Sequence, residues 1–154
     1  GGMAVQIAAQ RGCQVTATCS AANADYVRRL GADLVIAYDT EDFADRLGGQ
    51  DVVFDLVGGD IHEKSCRVMT PGGRLVWLIA APFDDVSDTY GVSCKQAMIH
   101  DRRETLEHVA EAVAQGILTP QVSRRLPLIQ AADAHRTLER GENSRGSIIL
   151  DIGE

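Results

Sequence analysis

Residues Gln14 to Tyr38 read QVTATCSAANADYVRRLGADLVIAY, and this stretch decides the fold. Gln14 to Cys19 alternates and is rich in β-branched residues, which predicts a strand. Ala22 to Leu30 puts Tyr26, Val27 and Leu30 on one face of a helix that Gly31 closes. Leu34 to Tyr38 is a short apolar run, the mark of a buried strand. Strand, helix and strand in close succession form a βαβ unit, whose two strands run parallel.

The pattern continues outward on both sides. Met3 to Arg11 has Met3, Ala4, Ile7 and Ala8 at helical spacing and ends at Gly12. Glu41 to Leu47 reads as a helix and Asp51 to Val57 (DVVFDLV) as a strand buried on both faces. Ile61 to Met69 is helical, Pro71-Gly72-Gly73 a turn, and Arg74 to Ala80 a strand. Ala81 to Val92 is acidic and loop-like, and Val92 to Ile99 is extended. Arg103 to Gln115 is an amphipathic helix through Leu106, Val109, Ala110 and Val113, stopped by Gly116. Pro120 to Leu128 is extended, Ile129 to Arg140 helical, and Ser147 to Ile152 a last strand. This alternation predicts an α/β class, a doubly wound, mostly parallel sheet of the Rossmann kind. Such a sheet has a central strand before the Met3 helix, and the chain opens instead on Gly1-Gly2-Met3. The expectation is therefore a piece of something longer.

The totals agree with a globular domain. The chain has 154 residues, 45% of them hydrophobic and 24% charged, with a formal net charge of -7. That charge and the isolated arginine doublets exclude a nucleic-acid surface. Cys13, Cys19, Cys66 and Cys94 show no CxxC spacing, so free thiols in a cytoplasmic protein are expected. No apolar run approaches a membrane span.

Ligands of open α/β sheets lie over the carboxyl ends of the strands. The candidate loops are Gly1-Gly2, Cys19 to Asn23, Tyr38 to Thr40, Val57 to Asp60 and Ala80 to Phe83. Gly1 and Gly2 precede a helix, where free N–H groups favour a phosphate; a packing or turn role is the plainer reading. The strand ending at Cys19 carries no acid to hold the ribose hydroxyls of NAD. A carboxylate about 4 Å from a 2'-phosphate would cost about 4 kcal/mol at an effective dielectric near 20, so its absence suits NADP. Ser20, Asn23 and Tyr38 offer hydrogen bonds there, although Ser20 is equally placed to cap the following helix.

Other residues invite chemistry with less support. His62, His100, His108 and His135 make no metal spacing, and His62-Glu63 lacks the second histidine of an HExxH site. Cys19 stands near the expected adenosine, but a passive thiol is the simpler reading. Lys95 and Gln96 lie on a strand near the expected cleft and are equally well surface residues.

The segments from Ala4 to Phe43, DVVFDLVGGD, CRVMTPGGRLVWL, AEAVAQGILTPQV and LPLIQAADAHRTLERGENSRGSIILDI resemble, in order, the nucleotide-binding half of medium-chain dehydrogenases/reductases. They are most similar to the zinc-free quinone reductase-like branch. The resemblance implies an NADPH-dependent oxidoreductase passing hydride to a quinone or an activated alkene or carbonyl. It makes Gly1 the last glycine of an AxGGVG-type loop and leaves the family's N-terminal substrate domain outside the chain. It divides the chain into a nucleotide-binding part, 1–125, and a tail, 126–154, that returns toward the catalytic domain. In the family a small residue, a Lys, a Tyr and a late Arg hold the 2'-phosphate. Ser20 and Tyr38 match, Asn23 replaces the Lys, and Arg140 or Arg145 supplies the Arg. The nicotinamide is expected near Val57, Gly58, Ile79 and Ala80. No catalytic residue is identified in this chain, and no zinc is expected, since neither zinc set of the wider family is recognised. A homodimer through the sheet edge near Cys94 to Ile99 is implied as well.

Two other readings compete. One is an S-adenosylmethionine methyltransferase, with TPGGRLVWL as its late strand, although its tail fits poorly. The other is a non-catalytic nucleotide-binding module.

Overall fold

The computed structural model describes residues 1–78, 84–98, 102–143 and 145–153. Helices and strands alternate as α1 (Gly2–Gln10), β1 (Thr16–Cys19), a 3-10 turn (Ala21–Asn23), α2 (Ala24–Arg29), β2 (Leu34–Ala37), α3 (Phe43–Arg46), β3 (Gln50–Asp55) and α4 (Asp60–Arg67). Then come β4 (Met69–Trp77), α5 (Ser87–Tyr90), β5 (Ser93–Gln96), α6 (Arg103–Ala114), β6 (Val122–Pro127), a 3-10 turn (Leu128–Gln130), α7 (Ala131–Glu139) and β7 (Ser147–Asp151). The chain falls into two compact units, Gly1–Leu106 and Glu107–Glu154.

Every strand pair among the described residues is parallel, as the α/β alternation predicts. In the first unit β1 pairs with β2, and β3, β4 and β5 form a set in that order. Among the described residues neither β1 nor β3 has a partner on its second edge. In a doubly wound sheet the expected first strand belongs between those two edges.

Each strand set carries its own core. Val15, Ala32 and Val35 are buried beneath Val5, Ala8 and Ala9 of α1 and Ala24 and Val27 of α2. The small α1 side chains let that helix lie close. A Cβ on Gly31, whose φ is 107°, would come within 2.6 Å of the Ala9 Cβ, so this turn requires glycine. The second core joins Cys66, Met69, Leu75 and Val92, with Val53, Trp77, Val86, Tyr90 and Cys94 against it.

Four expectations need correction. DVVFDLV is not buried on both faces: Val53 packs inward, but Val52 and Phe54 are 56% and 44% exposed on a strand paired along one edge only. Pro71-Gly72-Gly73 is not a turn before the strand. It lies inside β4, where the pairing with β3 shifts register between Gln50 and Val52. Such a bulge absorbs a proline and two glycines without ending the strand. Ser87–Tyr90 forms one helical turn within the expected loop. The Arg103 helix forms, but Leu106 of its apolar stripe is 69% exposed.

In the second unit β6 pairs with β7, with Arg124 opposite Ile148 and Leu126 opposite Leu150. Ala134 on α7 is buried, and Arg125 bonds Asp151 across the strands at 3.0 Å.

Candidate functional site

The end of β1 is built by its neighbour β2. Cys19 pairs with Ala37, and the Tyr38 amide donates to the Cys19 carbonyl at 3.0 Å. Ser20 and Tyr38 are thus brought to one strand end, and the Tyr38 phenol stands 65% exposed. Ser20 occupies the N-cap position of the following turn, yet its side chain makes no capping hydrogen bond. The cap comes from Asp39, whose two carboxylate oxygens accept from the Ala21 amide at 2.9 and 3.1 Å. The reading of Ser20 as a cap therefore fails for its hydroxyl, and it is Asp39 that meets the first amide of the turn. Asn23 is held by its main chain, its amide donating to the Ser20 carbonyl at 2.9 Å.

Asp39 was not singled out in the sequence. Its signal was there: it is the acid one residue past LVIAY, at the end of the adjoining strand. The strand end that lacks its own carboxylate thus receives one from next door. A cation answers it. Arg28, paired with Asp25 at 2.7 Å, acts on Cys19 against the influence of Asp39. Burial pushes the Cys19 thiol up, the Asp39 charge adds to this, and Arg28 opposes it. Cys19 is a poor nucleophile there, since the thiolate is the reactive form.

The end of β3 is fixed by Asp55. Its carboxyl is buried, and Oδ1 accepts from the amides of Val57 at 2.8 Å and Gly58 at 2.9 Å. This clamp sets the turn into α4, with Gly58 buried at φ 71°, a conformation that suits glycine. Val57 projects outward, 65% exposed. A Cβ on Gly1 would meet Leu56 Cδ1 at 3.6 Å, so the start of α1 stands beside this turn. Gly2 lies inside α1, where a Cβ would come 3.1 Å from Leu30, so its smallness serves helix packing. Ile79 and Ala80, the other residues expected near the nicotinamide, lie outside the described residues.

Arg140 closes α7 in the second unit, exposed and 3.9 Å from the Glu142 carboxylate. Arg145 is exposed in the same unit. Lys95 and Gln96 are exposed on β5. His108 and His135 are exposed, and His100 lies outside the described residues. His62, by contrast, is buried, with Nδ1 3.7 Å from Asp55 Oδ2.

The first unit thus offers a strand-end surface with an exposed apolar side chain at Val57, held over the buried Gly58 turn, and hydroxyls at Ser20 and Tyr38. This fits a dinucleotide: apolar contact for a ring at one strand end, polar groups for a ribose at the other.

Comparison with known proteins agrees with that geometry. The chain belongs to the zinc-binding dehydrogenase family, whose sequence pattern it matches over residues 30–150. It is 33% identical to a 2-haloacrylate reductase of Burkholderia sp, over 82% of this chain and 44% of that protein. It is 29% identical to the mitochondrial NAD(P)H oxidoreductase RTN4IP1 of Danio rerio, over 100% of this chain and 46% of that one. The polyketide synthase GfsB of Streptomyces halstedii is 30% identical over 97% of this chain, which covers 3% of that protein. Among solved structures, the quinone oxidoreductase from Coxiella burnetii superimposes with a TM-score of 0.88 at 27% identity, over 99% of this chain and 49% of that one. The chain spans about half the length of these reductases, and far less of the synthase. The resemblance to medium-chain dehydrogenases/reductases of the quinone reductase type holds. The methyltransferase alternative falls. Among the described residues, no helix is long and apolar enough to cross a membrane.

Proposed function

We propose that the protein carrying this chain is a cytoplasmic, NADPH-dependent oxidoreductase that reduces a quinone or an activated alkene or carbonyl, and that residues 1–125 bind its cofactor. The observation that carries the cofactor choice is the Ser20 hydroxyl, which makes no capping bond, at the same strand end as the exposed Tyr38. Ser20, Tyr38 and, less strongly, Asn23 bond the 2'-phosphate. Gly1 and Gly2 present main-chain amides to the pyrophosphate.

When bound, the nicotinamide supplies a hydride from its C4. The chain's own residues orient and shield. Asp55 holds the Val57-Gly58 turn rigid through two charge-assisted hydrogen bonds, and Val57 offers an apolar face that keeps water from the ring. Hydride adds to the electron-poor carbon of the acceptor and a proton completes the reduction, so no metal of this chain is needed for the step. Quinones and haloacrylates, named in two of the relatives, both conjugate a C=C bond with a carbonyl, which supports that acceptor class. A homodimer through β5 suits its position, since β5 pairs only with β4 among the described residues.

One observation favours a second reading. The Asp39 carboxylate at the β1 end is the kind of group that holds the ribose hydroxyls of NADH. Calorimetric titration of the full-length protein with NADPH and NADH decides between them. NADPH is expected to bind tighter, and Ser20→Ala with Tyr38→Ala to weaken it about tenfold or more, about 1.4 kcal/mol, while leaving NADH unchanged. Equal affinities, or a preference for NADH, would overturn the NADPH assignment.

A further inference from the structure

Beneath the β3–α4 turn, the second core holds more polar chemistry than packing requires. His62 and Cys66 stand four residues apart on α4 and therefore share one face of the helix. That face meets β5, where Cys94 pairs opposite Leu75. The nitrogen and sulfur atoms these three residues offer all lie within 4.8 Å of one another. His62 and Cys66 are 1% and 0% exposed.

We propose that His62, Cys66 and Cys94 bind one thiophilic divalent cation, of which Zn2+ is the natural choice, as a structural centre joining α4 to β5. The assignment goes beyond the oxidoreductase reading and departs from the sequence expectation of no metal in this chain. The distances carry it. The Cys66 and Cys94 sulfurs are 3.9 Å apart. Two thiolates each about 2.3 Å from a tetrahedral ion would be about 3.8 Å apart. A disulfide needs about 2.05 Å, so the pair is unbonded, and the S–H···S contact it makes at 3.9 Å would give way to an ion without the sulfurs moving apart.

The surroundings have the form of a ligand shell. Asp55 Oδ2 is buried without a hydrogen bond and faces His62 Nδ1 at 3.7 Å. A carboxylate behind a ring nitrogen is the usual partner of a metal-bound histidine, orienting the other nitrogen toward the ion. A water molecule would complete the fourth position of a tetrahedral ion. Two thiolates and an imidazole select zinc over magnesium or calcium. On binding, each thiol gives its proton to solvent, so one M2+ enters and two H+ leave.

Cobalt titration under reducing conditions tests the site on full-length protein first stripped by a chelator. One equivalent of Co2+ is expected to give the visible bands of a tetrahedral ion and a near-ultraviolet thiolate charge-transfer band, both abolished by Zn2+. Cys66→Ser and Cys94→Ser should each remove the charge-transfer intensity, while Cys13→Ser leaves it whole. Absence of the bands, or their persistence in both serine variants, would overturn the proposal. A readout on the unaltered protein guards against misfolded variants. Added Zn2+ should slow alkylation of Cys94 at least tenfold, followed by peptide mass spectrometry, with no effect on Cys13. Unchanged Cys94 labelling, or a Cys66–Cys94 disulfide under the same reducing conditions, would also overturn it.

Discussion

Asp39 and Asp55 share a task at different strand ends: each accepts main-chain N–H bonds and so shapes a loop over the sheet. Their surroundings give them different consequences. Asp39 is exposed, and its charge counts against a phosphate nearby. Asp39→Asn keeps an oxygen for the Ala21 amide and removes the charge. NADPH affinity should rise by up to about tenfold in calorimetry, well short of the unscreened repulsion of about 4 kcal/mol because Arg28 and water oppose it. NADH affinity should hold or fall. A loss of NADPH affinity would sink the idea that a 2'-phosphate lies there. Asp55 is buried, and Asp55→Ala would strand the buried Gly58 amide and the half-buried Val57 amide. A loss of about 2–4 kcal/mol in urea unfolding is expected, and a change under 1 kcal/mol would show the clamp unnecessary. Residue identity alone announced neither role. Ser20 and Tyr38 were legible because the strand ends were; Asp39 was not, because its partner amide lies eighteen positions away.

At the scale of elements, periodicity and glycine punctuation marked almost every helix and strand, since they encode local geometry. They failed where the outcome depends on neighbours. The bulge in β4 exists because β3 shifts beside it, and the face of β3 that carries Val52 and Phe54 is left uncovered among the described residues. Two tests belong here. Gly31→Ala forces a side chain into a left-handed turn and against Ala9, so α1 and α2 must part. A loss of about 2–4 kcal/mol is expected, and a thermal midpoint equal to that of the unaltered protein would contradict the packing. Asp42 caps α3 through the Ala44 amide at 2.9 Å and pairs with Lys64 of α4. The Lys64 ammonium and that amide hold its carboxyl below the usual range. A depressed folded value means stability is present above the unfolded carboxylate range and lost as pH falls through the folded value. Urea midpoints measured from pH 7 to pH 3 should therefore fall less steeply in Asp42→Asn. An unchanged slope would show that the pair adds nothing.

The whole molecule shows what the sequence could declare only in outline. The α/β class and order of elements were legible; the division of strands into separately paired sets was not, because pairing joins residues far apart in the chain. The open edges have a measurable effect. A polypeptide limited to these 154 residues is expected to self-associate through β3, where Val52 and Phe54 lie exposed. Val52→Lys with Phe54→Lys should return the light-scattering mass to that of a monomer, and a mass that stays high would point to another surface. The parallel pairing also sets a timetable for synthesis. No two paired strands among those described are joined by a hairpin; a helix or a longer connection always intervenes. A ribosome therefore releases each strand well before the one it will bond, and β6 waits for β7 while all of α7 is translated. Nascent chains of this kind hold unsatisfied edges for seconds at a time, a window in which chaperones compete with neighbouring chains for them.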